Sequence, residues 1–134
     1  MTKILRPVMA FLRSVCGILI SIYIDDMLLQ GSSAEVAFKH AQITALVLMC
    51  LGWSLNWEKS NFTPTQEVLH LGFLFNSKDM TIRCPPAKVE RLQSTCKAVL
   101  SKGFITVHQC EKLLGTMESV RPSTPHAALY YRPL

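Results

Sequence analysis

Two adjacent carboxylates, Asp25 and Asp26, lie in the segment Tyr-Ile-Asp-Asp that begins at Tyr23. Neighbouring carboxylates repel each other unless a cation or a proton lies between them. Hard divalent cations prefer such oxygens and also take phosphate oxygens from a substrate. The pair therefore predicts a Mg²⁺ or Mn²⁺ site and phosphoryl-transfer chemistry. The alternative is that both residues only form a turn, because Asp often bonds its own main chain there.

Apolar runs flank the two aspartates on either side, at 18–23 (ILISIY) and at 27–30 (MLLQ). Each run has the length and composition of a short, rather buried strand. The segment therefore predicts a β-hairpin with Asp25 and Asp26 at its tip.

Helical spacing of apolar residues predicts a first helix that starts near Ile4 and stops at Gly17. A second helix should follow the hairpin, because Ser32 and Glu35 have the spacing of a capping box. Trp53, Leu55 and Trp57 then alternate with polar residues, which predicts a strand whose tryptophans pack in the core.

The run 68–75 reads as one apolar strand with Gly72 in its middle, where another backbone should approach closely. Thr81–Arg83 should pair back onto this strand across a polar turn. Beyond Pro85 the pattern is helical: one helix should close at Gly103, and Thr106 should cap the next. The fold class is therefore α+β, with a mixed part at 1–84 and a helical part at 85–134.

The net charge of +5 is unevenly distributed, since residues 78–134 hold nine basic against four acidic residues. A basic region beside an acidic turn suits a protein that binds a polyphosphate backbone, although a solvated helix face gives the same pattern. No apolar run approaches the ~20 residues of a membrane span. The five cysteines form no Cys-x-x-Cys pair and no secretion signal is recognisable, so we expect an intracellular protein, in the cytoplasm or the nucleus.

The ordered set of features is similar to the palm and thumb of a retroelement reverse transcriptase, an RNA-directed DNA polymerase. The set comprises the Tyr-Ile-Asp-Asp hairpin, a Gly-Trp strand followed by Lys59, Leu-His-Leu-Gly-Phe at 69–73 and a basic helical region. The fold that the resemblance implies is a partial palm, an antiparallel hairpin sheet with covering helices, followed by a helical thumb. Residues 113–134 resemble the stretch that leads toward a ribonuclease H region.

The resemblance also implies roles for individual residues. Asp25 and Asp26 would bind the catalytic metals, two ions in the complete enzyme, and Tyr23 would lie near the primer end or the incoming nucleotide. Lys59 matches a lysine that can protonate pyrophosphate, but it is also an ordinary surface lysine. Two further sets are implied: the primer-contacting residues Leu71, Gly72 and Phe73, and the backbone-contacting residues Lys88, Arg91, Lys97 and Lys102. The implied partners are an RNA or DNA template-primer and a deoxynucleoside triphosphate.

Reverse transcriptases have a further metal-binding aspartate upstream, and residues 1–24 contain no Asp or Glu. We therefore expect a carboxy-terminal palm and thumb portion that is inactive alone. Its sheet edge, with exposed faces of Ile18, Ile20 and Ile22, should favour self-association. Two other functions fit the sequence: a non-catalytic nucleic-acid-binding or interaction module, and a small structural protein in which the turn is only a turn.

Overall fold

The computed structural model describes residues 2–102, 104–127 and 129 of the chain. These residues form an α+β arrangement with four α-helices and two small antiparallel sheets. The chain divides into two compact units, Met1–Thr65 and Gln66–Leu134. The joint predicted at Pro85 therefore lies inside the second unit, because the second sheet groups with the helices that follow it.

The first unit contains two helices and a two-stranded sheet, namely α1 (Thr2–Ser14), β1 (Leu19–Tyr23), β2 (Asp26–Gln30) and α2 (Ala34–Cys50). The predicted first helix and hairpin are confirmed. The predicted cap of α2 is wrong by one residue, since Ser33 accepts the hydrogen bond from the Val36 amide at 3.2 Å. The chain passes from β2 to α2 through Gly31. A side chain does not fit there, because an added Cβ would lie 2.5 Å from the Ala37 nitrogen. The helix α2 begins only after this close contact, with Ser33 as its cap.

One face of the hairpin forms the core of the first unit together with α1. Ile20, paired with Leu29, lies on the same face as the pair Ile22 and Met27. These side chains pack in a cluster around Leu12, which is fully buried. The expectation that Ile18, Ile20 and Ile22 are exposed is therefore wrong: the first two are buried, at 1% and 6% exposure, and Ile22 packs against them. The exposed face carries Leu19 and Tyr23 instead.

The predicted strand at Trp53–Trp57 does not form, and residues 53–56 are irregular. The Trp53 amide donates a hydrogen bond to the Leu48 carbonyl at 3.0 Å. In the turn that follows, the Asn56 side chain accepts a hydrogen bond from the Lys59 amide at 3.2 Å. Trp57 is 55% exposed and stacks on Phe62, so its predicted place in the core is wrong. Alternation alone does not make a strand when local hydrogen bonds satisfy the backbone and no partner strand is available.

The second unit contains a three-stranded sheet and two helices, namely β3 (Glu67–His70), β4 (Phe73–Asn76), β5 (Thr81–Arg83), α3 (Pro86–Leu100) and α4 (Val107–Val120). The single strand predicted over 68–75 is wrong, because the chain reverses at Leu71 and Gly72, both with positive φ. The atom nearest to a Cβ placed on Gly72 is the Lys88 ammonium, at 4.0 Å, rather than a backbone atom.

The predicted pairing of Thr81–Arg83 is confirmed, and so is the capping box that joins Thr106 to Gln109. The stop predicted at Gly103 lies outside the described residues, and so do residues 128 and 130–134 of the predicted lead toward ribonuclease H. Within the described part of the chain, no helix is long and apolar enough to cross a membrane.

Leu12 should be the residue on which the first unit depends most. We expect Leu12→Ala to lower the free energy of unfolding by about 2–5 kcal/mol, because it leaves a cavity under the hairpin. Val15→Ala, at a side chain that is 70% exposed, should change it by less than about 0.5 kcal/mol. Urea denaturation measures both. Equal losses in the two variants would contradict the assignment of this core.

Candidate functional site

The hairpin turn contains two residues, Ile24 and Asp25, because Tyr23 pairs directly with Asp26. Both aspartates were expected at the tip, but Asp26 is instead the first residue of β2. Directly opposed residues share one face of a sheet, with Cβ atoms about 4.5–5.5 Å apart. Tyr23 and Asp26 therefore lie side by side on the exposed face, and Asp25 projects from the turn beside them.

Ile24 has a φ of 58°, in the left-handed region. Asp25 does not share this conformation, so only the first central residue of the turn is left-handed, as in a type II′ turn, where glycine is the usual residue. A β-branched residue there is an outlier, and such strain costs about 1–3 kcal/mol. Among the described residues with positive φ other than glycine, Ile24 alone is β-branched. The tip therefore holds Ile24 in a backbone conformation that isoleucine disfavours.

Both carboxylates of the tip are exposed to solvent. Within the described residues, neither one accepts a hydrogen bond or forms an ion pair. Aspartates that serve only to make a turn accept hydrogen bonds from nearby main-chain amides. Asp25 and Asp26 do not do this, so their oxygens remain available to a ligand.

The tip offers oxygen donors of the kind that Mg²⁺ prefers, but too few of them to enclose it. Mg²⁺ takes about six oxygen ligands and commonly binds through one or two carboxylates plus substrate phosphates and water. Among residues 2–102, 104–127 and 129, no cluster of three or more His, Cys, Asp or Glu side chains could hold a metal ion. Asp25 and Asp26 can therefore supply part of such a site.

Lys59 lies in an irregular turn at 57–59 of the first unit, where its side chain is exposed. Leu71 and Gly72 form the tip of the β3–β4 hairpin in the second unit, and Phe73 begins β4. Six of the sequence-predicted residues thus lie at two hairpin tips, Tyr23 with Asp25 and Asp26, and Leu71 with Gly72 and Phe73. Lys59 belongs to neither tip.

Lys88 was expected to contact nucleic-acid phosphates, but its ammonium is engaged inside the second unit. The Nζ atom donates a hydrogen bond to the Ser119 carbonyl at 2.8 Å and lies 4.5 Å from the centre of the Phe73 ring. A cation favours both the carbonyl end of a helix and the face of an aromatic ring. Lys88 therefore ties the β3–β4 hairpin to the end of α4.

A basic groove of about 230 Å³ lies between α3 and α4. Its charged lining residues are Arg91, Lys102 and Lys112, and no acidic side chain lines it. Of the basic residues predicted to contact a nucleic-acid backbone, Arg91 and Lys102 line this groove, while Lys97 and Lys88 do not. The arrangement can bind an anionic chain through charge, without reading a sequence.

Lys112 is a groove residue that the sequence prediction missed. The loop between α3 and α4 is short, so the end of the first helix meets the start of the second as in an antiparallel pair. Reading the outward positions of both helices together would have placed Lys112 near Lys102.

Comparison with protein families, with curated proteins and with solved structures finds no match to this chain. We therefore infer the roles of the two tips and of the groove from the chemistry of their residues.

The strain at the hairpin tip can be measured. We expect Ile24→Gly to raise the free energy of unfolding by about 0.5–1 kcal/mol, because relief of the left-handed strain exceeds the added backbone entropy of glycine. Ile22→Gly, at a partly buried position in β1 next to the turn, should lower it instead. Thermal and urea unfolding give both values. A destabilising Ile24→Gly would mean that the turn is not strained.

Proposed function

We propose that this chain is the palm and thumb portion of a reverse transcriptase, acting in template-directed nucleotidyl transfer by a two-metal mechanism. The observation that carries the proposal is the hairpin tip, where two adjacent carboxylates lie at a strained turn and neither has a partner among the described residues. Such an arrangement is unfavourable for folding, and a bound dication would relieve the repulsion.

The tip residues would each have a distinct task in the reaction. Asp25 and Asp26 would hold divalent ions, and such ions would supply charge that stabilises the attacking and leaving oxygens of a displacement at phosphorus. Tyr23, on the same exposed face as Asp26, would contact the primer end or the incoming nucleotide. Lys59 would donate a proton to the departing pyrophosphate.

The second unit would position the template-primer. Leu71, Gly72 and Phe73 would contact the primer end, and Lys88 would hold that tip in place through Phe73. The groove formed by Arg91, Lys102 and Lys112 would bind the phosphate backbone. This binding is independent of sequence, which is what copying any template requires.

Two carboxylates without a third make a poor metal site, so the chain by itself should not polymerise. We expect no Mg²⁺-dependent primer extension from the purified chain, because weakly held ions do not align the reacting groups. Clear template-directed addition of nucleotides would refute this expectation.

Removal of both tip carboxylates should weaken dication binding. We expect the double variant Asp25→Asn, Asp26→Asn to lower the affinity for Mn²⁺ by at least about tenfold, which corresponds to about 1.4 kcal/mol. The measurement is the enhancement of water proton relaxation by bound Mn²⁺, with competition by Mg²⁺. The control Glu35→Gln, Glu58→Gln removes the same charge from exposed positions of the same unit. An equal loss in both would contradict a metal site at the tip.

The groove makes a separate prediction about nucleic acid. We expect Lys102→Ala, Lys112→Ala to weaken binding to oligonucleotides of any sequence and to reduce the slope of log K against log[salt] by about 1 for each lysine that neutralises a phosphate. Lys97→Ala, in α3 and outside the groove, should leave the slope nearly unchanged. Fluorescence anisotropy at several salt concentrations measures it. A similar loss of affinity from Lys97→Ala would show that binding depends on overall charge rather than on the groove.

The groove also favours a second candidate, a non-catalytic nucleic-acid-binding module derived from a retroelement. Its cations lie in the second unit and need no metal at the hairpin tip. The double variant Asp25→Asn, Asp26→Asn distinguishes the two proposals. If the chain is only a binding module, this variant should keep the nucleic-acid affinity of the parent chain, and the parent chain itself should show no specific Mn²⁺ binding.

A further inference from the structure

The outer edge of β1 has unpaired backbone groups. In a hairpin closed by a two-residue loop, the closing pair exchanges hydrogen bonds, and the bonding direction alternates along the strand. Tyr23, Ser21 and Leu19 therefore bond to β2, and the amides and carbonyls of Ile20 and Ile22 point away from it. The Ile18 amide confirms this direction, since it donates to the Leu12 carbonyl in α1 at 3.0 Å.

Among the described residues, Arg13 covers part of this edge with its side chain. Its Nη2 and Nε atoms donate to the Ile20 carbonyl at 2.8 and 3.2 Å. The Ile20 amide and both backbone groups of Ile22 have no partner within the described residues. An open groove of about 290 Å³ runs along the edge, lined by Arg13, Gly17 and the start of β1. Such an edge accepts an added strand.

We propose that a second copy of this chain occupies the edge, with the two β1 strands pairing antiparallel about a two-fold axis at Ser21. In this register Ile20 of each copy faces Ile22 of the other, and all of their outward amides and carbonyls become paired. The edge is thus complementary to itself. A register shifted by two residues in either direction would need Ile18, whose amide is engaged, or Ile24, which lies in the turn.

The charges at the two ends of the edge are complementary in the same register. Leu19 of one copy lies opposite Tyr23 of the other, so the hairpin tip with Asp25 comes beside Gly17, near Arg13. As the Ile20 carbonyl takes a hydrogen bond from the second copy, Arg13 is released and meets the Asp25 carboxylate of that copy. In the dimer this carboxylate therefore pairs with a guanidinium instead of a metal ion. Leu19 and Tyr23, which are 65% and 57% exposed in the single chain, cover each other.

Cysteine pairing tests the register directly. In the proposed dimer, Ser21 lies opposite itself in a non-hydrogen-bonded pair, where Cα atoms are about 4.5 Å apart, a separation that a disulfide spans. Under mild oxidation Ser21→Cys should form a disulfide to itself between two chains. Leu19→Cys, on the same exposed face, is four residues out of register with itself and should not. The parent chain, with its five free cysteines, is the background control, and peptide mapping identifies the bonded residues.

Charge exchange tests the end contacts without cysteine chemistry. Arg13→Glu and Asp25→Arg should each weaken the dimer in sedimentation experiments by about tenfold or more, because each places like charges together. An equimolar mixture of the two variants should restore dimerisation, since each copy then meets an opposite charge.

The parent chain should show a concentration-dependent equilibrium between monomer and dimer. Three results would overturn the proposal: a monomer at every concentration, equal disulfide yields from Ser21→Cys and Leu19→Cys, or a mixture of charge variants that dimerises no better than either variant alone. Circular dichroism of each variant distinguishes a failure to pair from a failure to fold.

Discussion

The register of the β1–β2 hairpin is the constraint on which the rest of the first unit depends. A shift of one residue in either strand would move every side chain of that strand to the opposite face. The observed register is the one that places Ile20, Ile22, Met27 and Leu29 together against Leu12 of α1. Burial of those apolar side chains thus determines, several residues away, that the turn consists of Ile24 and Asp25 and that Asp26 stands beside Tyr23.

The second unit depends on a different kind of contact. Its three-stranded sheet is small, and α3 has no fully buried residue. A charged side chain therefore contributes to the link between sheet and helices, because Lys88 contacts the Phe73 ring and the last turn of α4. Lysine is suited to this position because its long aliphatic stem can lie along apolar surface while the ammonium reaches a carbonyl. Arg91, Lys102 and Lys112 of the groove, in contrast, are directed to a shared surface where an external anion can bind.

Much of the fold could be predicted from the sequence, because long periodic segments carry strong signals. The helix around Leu12, the first hairpin and the Thr106 capping box are examples. The predictions failed where a choice depends on hydrogen bonds that periodicity does not encode, as at Trp57, where local bonds replaced a strand, and at Leu71, where the chain turned within an apolar run. The candidate site was predicted by residue type, but the separate positions of Asp25 and Asp26 follow from register, and Lys112 required the pairing of two helices.

A positive φ at a residue other than glycine is not confined to Ile24, since Leu71 and Met80 also have it. The difference lies in what surrounds each turn. Leu71 is followed by glycine in a turn where both central residues are left-handed, and Lys88 lies against it; the turn before Met80 is held by the Asn76 side chain. At Ile24 the turn contains no glycine, no side chain of the described residues donates or accepts a hydrogen bond there, and two repelling carboxylates lie beside it. Local preferences that disagree with the fold are concentrated where a protein binds something. The missing stabilisation at this tip is of the kind that a cation supplies, whether a metal ion or an arginine of a second copy.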